Sequence, residues 1–329
     1  MAKKNPYYSG PETDHFNGSR FFNPDGMKSR GLTDVLKWQF LESKAKWPKD
    51  ADCPHAPAKP PERVDGAGLR VTMVGHATLL IQTAGLNILT DPVWAGRASP
   101  VSFFGPRRHR PPGIEFSDLP EIDVVLLTHN HYDHLCVETM GRLHQSHKPH
   151  VIVPLGNDGL VRSKAADLKV TAGDWDDRIT HGPAVFHFER CHHWSARGIR
   201  DQSMALWSAY TIETPDRRVF HIGDTGFDAG KPYDRARDKH QRFDLAILPI
   251  GAYEPRWFMR DQHQDPDEAV EGFARLGADH GIGHHFGTFR LANEPMEEPT
   301  ERLARAMAKH GMDPRRFRPL LPGEHMEIV

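Results

Sequence analysis

The sequence predicts an α/β fold, and three observations carry that reading. From Leu69 onward, short aliphatic or β-branched runs alternate with stretches of helical periodicity. Several of these runs stop abruptly at loops rich in His and Asp, most clearly in residues 122–135, IDVVLLTHNHYDHL, where an apolar run ends at Thr128. No stretch approaches 18 consecutive apolar residues and no repeat of 20–50 residues stands out, so neither a membrane bundle nor a solenoid is expected.

The 329 residues suffice for one large α/β domain or two ordinary ones. A net charge of −2 gives no global case for binding nucleic acid, so any affinity for anions must be local. Three cysteines, Cys53, Cys136 and Cys191, lack CxxC spacing, and an odd count argues against a disulfide framework and for a reducing compartment. The first residues, MAKKNPYYSGPETD, have no apolar signal-peptide core. A cytoplasmic protein is expected, in contact with the inner face of a membrane only peripherally.

Residues 1–65 read as an N-terminal arm with one helix and a Pro-rich linker, packed on a main domain of residues 66–329. The arm's Tyr7, Tyr8, Phe16, Phe21 and Phe22 would be wasteful in solvent, so they should pack on the main domain or on a second copy of the chain in a homodimer. Apolar spacing predicts a helix over 32–47, ended by Pro48, and five prolines mark 48–61 as linker. Strands are expected at 69–74, 78–82 and 86–89, then at 124–127, 151–154, 185–188, 204–212, 218–222 and 243–249. Helices are expected at 137–144, 158–166, 266–276 and 297–310; the one at 266 opens with Pro and two acidic residues, as helix starts do. A short apolar stretch closes the chain at 326–329.

Chemistry concentrates at the ends of these strands. His129, His131, Asp133 and His134 fall within six residues, so alternating positions can converge on one ion while Asp133 and His134 reach a second. Imidazole nitrogen with carboxylate suits zinc best, with manganese, iron or nickel as alternatives. The structural alternative is a polar loop of solvated histidines in a chain that has 22 of them. His76 and Asp91 each end a strand and either face a site or cap a turn; Asp91 is suited to hold a metal-bound imidazole in one tautomer. His192 and His193 are adjacent, as are His284 and His285, and neighbours on a regular strand cannot both face one ion. Asp224, in GDTGF, is a carboxylate at a strand end flanked by glycines that permit close backbone approach, and is suited to bridge two ions. Tyr253, Arg256, Trp257 and His263 offer apolar surface, a cation and a titratable group to a lipid-like or phosphoester substrate. Residues 98–116 mix aromatics with Arg107, Arg108, His109 and Arg110; they could meet an anionic lipid head group or nucleic acid, or form an ordinary loop of Arg–carboxylate pairs.

THNHYDHL matches the HxHxDH motif of the metallo-β-lactamase superfamily. VGHATLLIQ, LTDPVW, HHW, GDTGF, LPIGAYEPRWFM, HQDPDEAV and HFGTFRLANE, spread from about residue 71 to 295, resemble one branch of it, the N-acyl-phosphatidylethanolamine-hydrolysing phospholipases D and their bacterial relatives. The resemblance implies a four-layer αββα sandwich, with the site at one edge of two packed sheets and residues 66–329 as the hydrolase domain. It places a metal ligand at His193, and another at His285 with His284 as the fallback. His129, His131 and His193 would hold one divalent ion, Asp133, His134 and His285 the other, and Asp224 would bridge them, the pair sharing a hydroxide that attacks phosphorus. Asp133, Asp224 and His263 are the expected catalytic residues, His263 as general acid titrating near neutrality. The implied reaction is hydrolysis of N-acyl-phosphatidylethanolamine to phosphatidic acid and N-acylethanolamine. The sequence departs from the branch in its arm, in residues 98–116 and at Phe286, where Trp is usual. A small phosphoester or soluble lactone remains an alternative substrate, and a metal-dependent binding protein without turnover is the alternative of another class. Phospholipid or phosphoester is the expected partner, and nucleic acid is not.

Overall fold

The computed structural model describes residues 5–26 and 31–329, so residues 1–4 and 27–30 of the expected arm lie outside the described residues. Fourteen described strands form two seven-stranded sheets. The first sheet holds β1 (Leu69–Gly75), β2 (Thr78–Thr83), β3 (Leu86–Thr90), β4 (Val124–Leu126), β5 (His150–Pro154) and β6 (Val170–Gly173) in that order, with β14 (His325–Ile328) beside β1. The second runs from β7 (Arg178–His181) through β8 (Ala184–Glu189), β9 (Ala209–Glu213), β10 (Arg218–His221), β11 (Leu245–Pro249) and β12 (His280–His284) to β13 (Phe317–Pro319). The helices are α1 (Leu32–Leu41), α2 (Val137–Ser146), α3 (Asp158–Arg162), α4 (Lys231–His240), α5 (Arg256–Met259), α6 (Pro266–Leu276) and α7 (Glu298–Lys309).

Period-two alternation builds the layers. Val124 and Leu126 of β4 turn inward to meet Phe186, Tyr210, Ile212 and Ile247 of the other sheet, while Val125 turns outward onto Met140 and Leu143 of α2. On the far side, Phe220, Ala246 and Leu248 face Tyr233 of α4, Phe273 of α6 and Leu303 of α7. The order helix, sheet, sheet, helix is the αββα sandwich that the resemblance implies. Strand direction sets which edge of the sandwich the loops reach. β1, β3 and β4 run the same way in the first sheet, since β2 is antiparallel to both β1 and β3 and β4 is parallel to β3. By the same reasoning β8, β10, β11 and β12 are co-directional in the second.

The described part of the arm lies against this body. Phe16 and Phe21 are buried in the helix-side core of the second sheet with Tyr8 packed against them. His15 reaches Asp174 at 2.7 Å, and Asn5 donates to the Met204 carbonyl at 2.7 Å. Tertiary hydrogen bonds account for the main departures from local pattern. The helix expected over 32–47 ends at Leu41, because the following segment is extended against residues 293–294: Ala45 N donates to Asn293 O and Trp47 Nε1 to Glu294 O. The strand expected from 204 begins only at Ala209, since Leu206 and Ser208 donate to Leu155 and Thr128 instead of to a sheet neighbour. The helix expected over 158–166 closes after one turn, at Arg162. α4 escapes a periodicity reading because only Pro232, Tyr233 and Ala236 of KPYDRARDKH are buried.

α6 starts where the pattern places it. Asp265 accepts from Glu268 N at 2.9 Å, and Glu268 accepts from Asp265 N at 3.0 Å, a reciprocal cap with Pro266 in the first turn. Arg302 of α7 donates to the same Asp265 carboxylate at 2.6 Å, tying the two outer helices together. Replacing Asp265 with Ala is expected to lower unfolding free energy by about 1–2 kcal/mol, the worth of a cap, with secondary structure retained. Urea denaturation followed by circular dichroism measures it, and an unchanged midpoint would refute the cap's role.

Candidate metal centre

The co-directional strands bring their C-terminal ends to one edge of the sandwich, and the chemically loaded residues follow those ends. His76 follows β1, Asp91 follows β3, the loop 128–135 follows β4, His193 follows β8, Asp224 follows β10, and His285 follows β12. Three of them hold left-handed backbone, at φ of 59° for His76, 36° for Asp91 and 64° for His285, a conformation that costs a non-glycine residue and concentrates at functional sites.

Asp91 organises the ligand loop. One carboxylate oxygen accepts from Thr128 N and the other from Thr128 Oγ1, both at 2.7 Å, while His134 Nδ1 donates to Asp91 Oδ2 at 2.8 Å. That bond fixes the His134 tautomer and turns its Nε2 inward, 3.3 Å from Asp224 and 3.4 Å from Asp133. Across the gap Gly223, at φ 65°, lets the next strand end approach: a Cβ there would lie 2.7 Å from Thr128 Cγ2. Gly226 does the same against the Asp261 carbonyl, 2.4 Å from where its Cβ would be.

The inward-facing atoms form overlapping clusters. His129, His131 and His193 have ligand atoms within 4.8 Å of one another, as do His76, Asp133, His134 and His285. Asp224 lies between the two sets, 3.9 Å from His129, 3.7 Å from His193 and 3.1 Å from His285. His193 donates Nδ1 to the Gln262 carbonyl at 2.9 Å, which again points Nε2 at the cluster. His76 is within the second cluster, 2.8 Å from Asp133, and does not cap a turn with its side chain. Of the adjacent pairs, His192 points away, bonded to the carbonyls of Asp261 and Gly26, and His284 turns towards His221, ring centroids 5.3 Å apart. Among the described residues, buried Nε2 of His131 finds no hydrogen-bond partner, and Nε2 of His134 and His285 meet only the Asp133 and Asp224 carboxylates, at 3.1–3.4 Å and without hydrogen-bond alignment, the condition of donor atoms arranged for a cation.

Electrostatics divide the imidazoles. Burial pushes His129 and His193 well down and His131 to about 4, leaving neutral rings with free lone pairs at pH 7. Burial also opposes charge on His134 and His285, but Asp224 and Asp133 outweigh it, holding His134 well up and His285 at about 9. These charges reciprocally keep Asp133 and Asp224 well below the usual carboxylate range against the burial that would raise them.

The site opens into a cavity of about 1050 Å³. His131, Asp133, Asp224 and His263 line it on the site side, and Phe21, Trp38, Trp194, Ile199, Phe258 and Met259 make its apolar walls. The arm and α1 thus contribute to the cavity, and neither carries a sequence signal for doing so. His263 points Nδ1 at Asp224 from 3.8 Å, but burial lowers it to about 4, so it does not titrate near neutrality as expected. Tyr253, Arg256 and Trp257 do not line the cavity as expected. Tyr253 is buried under the Arg302 guanidinium, Arg256 donates to the His263 carbonyl and to Glu268, and Trp257 donates to Glu42 with Lys37 over its ring, so the three fasten α5 in place. Arg197 is a residue the motifs did not reveal: it donates to the carbonyls of Asn130 and Leu135 and stacks on Tyr132, strapping the ligand loop at both ends. In residues 98–116 the basic groups are already engaged, Arg107 with Asp50, Arg110 with Glu297 and Arg108 with the Val93 carbonyl, whereas Phe103 and Phe104 stand 80% and 74% exposed. Among the described residues no helix is long and apolar enough to cross a membrane.

In the metal-free protein the raised His285 contributes stability that is fully present below its unfolded value of about 6.5 and is lost as pH rises through about 9. Metal coordination needs the neutral ring, so divalent cations must displace protons from His134 and His285. Zinc affinity is therefore expected to strengthen steadily from pH 6 to 9. Calorimetry at pH 7 in buffers of different ionisation heat should show proton release; binding without release would contradict this charge assignment.

Comparison with known proteins agrees with this architecture. A family model described as "Beta-lactamase superfamily domain" matches residues 86–286. The chain is 34% identical over 312 residues to N-acyl-phosphatidylethanolamine-hydrolyzing phospholipase D 1 of Caenorhabditis elegans, covering 88% of this chain and 87% of that protein. Identity to the mitochondrial N-acyl-phosphatidylethanolamine-hydrolyzing phospholipase D of Saccharomyces cerevisiae is 29% over 237 residues, 70% of this chain and 50% of the yeast protein. Among solved structures, isothiocyanate hydrolase from Delia radicum gut bacteria aligns with a TM-score of 0.61 at 18% identity, over 78% of this chain and 98% of that one, a likeness of fold alone. The chain is a metal-dependent hydrolase that belongs to the metallo-β-lactamase superfamily.

Proposed function

We propose that the protein is a dinuclear, zinc-dependent phosphodiesterase of phospholipase D type, cleaving N-acyl-phosphatidylethanolamine to phosphatidic acid and an N-acylethanolamine. The observation that carries the reading is the union of two ligand clusters, Asp224 lying within 3.9 Å of members of both, with a largely apolar cavity of about 1050 Å³. The similarity to the nematode phospholipase over 87% of its length supports the same substrate class.

In this reading His129, His131 and His193 would hold one ion and Asp133, His134 and His285 the other, with Asp224 available to both sets and His76 fixing Asp133. Two divalent ions, when bound, lower the pKa of a shared water towards neutrality and neutralise charge on the phosphate. The chain's own contribution is placement. Asp91 and the Gln262 carbonyl hold His134 and His193 in one tautomer each, so donor atoms are set before substrate arrives. Phe21, Trp38, Phe258 and Met259 take up acyl chain, each buried methylene contributing about 0.8 kcal/mol. His263, neutral at pH 7 and facing the cavity beside Asp224, is the side chain placed to donate a ring N–H hydrogen bond to the leaving ethanolamine oxygen as that oxygen gains charge, the proton that oxygen finally takes up being one released by the attacking water.

The direct test is metal content of the purified protein together with hydrolysis of N-acyl-phosphatidylethanolamine and of bis(p-nitrophenyl) phosphate, before and after chelation. Chelator-sensitive release of N-acylethanolamine is expected. Cleavage of the small diester alone would remove the lipid substrate, and turnover that survives complete metal removal would overturn the mechanism. His263→Asn is expected to lower kcat on the order of 100-fold with metal content unchanged; loss of bound metal in that variant would make His263 a ligand instead.

A further inference from the structure

A second set of nitrogen and oxygen donors lies apart from the cavity, on the second sheet. His187 and Glu189 project from β8, Glu213 ends β9, and His240 is the last residue of α4. The ligand atoms of His187, Glu213 and His240 all lie within 4.8 Å of one another. His187 Nε2 is 2.9 Å from Glu213 Oε2, His240 Nε2 is 2.6 Å from Glu189 Oε1, and the two rings meet edge to face with centroids 4.8 Å apart.

Both carboxylates are held in place from outside the cluster. Each turns one oxygen inward to an imidazole and gives the other to a base outside: Glu213 Oε1 pairs with Arg218, and Glu189 Oε2 lies 3.2 Å from Lys239 Nζ. The outer bases orient the carboxylates as outer partners orient ligands at known metal sites. Two imidazole nitrogens and one carboxylate oxygen, with a fourth position left to water, are a donor set for a borderline divalent ion such as zinc, cobalt or nickel, not for calcium or magnesium. Burial holds His187 down, in the neutral form that coordination requires. The His187, Glu189 and His240 side chains are largely buried, whereas Glu213 is 34% exposed and leaves a path for an ion to enter.

We propose that His187, Glu213 and His240 form an auxiliary binding site for a zinc-like divalent ion, separate from the hydrolytic centre, with Glu189 holding the His240 ring. Bound there, the ion replaces the His187–Glu213 hydrogen bond with three coordinate bonds from the chain and staples the C-terminal end of α4 to β8 and β9. This assignment does not depend on the substrate or on the ligand set of the hydrolytic centre.

The test compares the chelated wild type, a His187→Gln/His240→Gln variant and a His129→Ala/His193→Ala variant, each reloaded with zinc, freed of excess ion by gel filtration and analysed for metal per chain. The first variant is expected to hold one ion fewer than the wild type, to keep its hydrolytic activity and to lose part of the zinc-dependent rise in Tm. The second variant should keep the auxiliary ion, which cobalt substitution would reveal by its visible absorption. Equal metal content in the wild type and the His187→Gln/His240→Gln variant overturns the proposal and reduces the cluster to two His–Glu pairs. Should that double variant fail to fold, His240→Gln alone decides by the same count: one ion fewer supports the site, and an unchanged count overturns it.

Discussion

Asp133 and Asp224 are buried among imidazoles, and taking that many titratable groups out of water is the constraint to which the rest of the structure answers. Unpaired, each carboxylate would take up a proton. Here His134 and His285 carry the compensating charge in the metal-free protein, and His134 is itself gripped by Asp91. Such a cluster is stable only if every member is held in one orientation, since a half-satisfied buried network is worse than an apolar core. The Asp91–Thr128 bonds, the Gln262 carbonyl on His193 and the Arg197 strap on the ligand loop supply that fixity from the surrounding backbone.

The sandwich makes this possible by direction as much as by packing. A strand end is where backbone stops pairing with its neighbours and can turn towards a site, and co-directional strands in both sheets deliver those ends to the same edge. The inter-sheet core of Val124, Leu126, Phe186, Tyr210 and Ile247 sets the separation of the two edges. Close approach then depends on the missing side chains of Gly223 and Gly226. Left-handed backbone at His76, Asp91 and His285 is the local cost of turning three side chains inward immediately after their strands.

The cavity joins two parts of the chain with different origins. Its polar end comes from the strand-end loops, whereas much of its apolar wall comes from Phe21 in the arm, Trp38 in α1 and the α5 residues Phe258 and Met259. Superfamily chemistry is thereby combined with a wall of different provenance, the usual route by which one fold serves unrelated substrates. The arginines of residues 98–116 are engaged with Asp50, Glu297 and the Val93 carbonyl, so that segment does not present a free basic patch like the one its composition suggested. The His187–His240 cluster lies on a different part of the second sheet, so stabilising α4 and hydrolysing substrate are separable tasks there.

The sequence by itself determined the alternating strands and helices, the helix at 266–276 with its cap, and the residue types of the metal loop, because these are written in local periodicity and short spacing. It also narrowed the chemistry to a few strand ends. Between neighbours such as His192 and His193 or His284 and His285 the residue pattern was silent and only family resemblance chose; the tertiary structure gives the physical reason, since the direction of a side chain leaving a strand end depends on which carbonyl or imidazole is waiting for it. It also moved Tyr253, Arg256 and Trp257 from a supposed substrate wall to the anchorage of α5, drew His76 into the cluster, and shortened the first helix where Ala45 and Trp47 found partners near residue 293. The neutrality of His263 was likewise invisible, because a pKa is set by burial and by charges that chain order does not bring together. Contacts such as these, most of them between residues far apart in sequence, leave no periodic signature; they arise from packing two sheets until their strand ends meet.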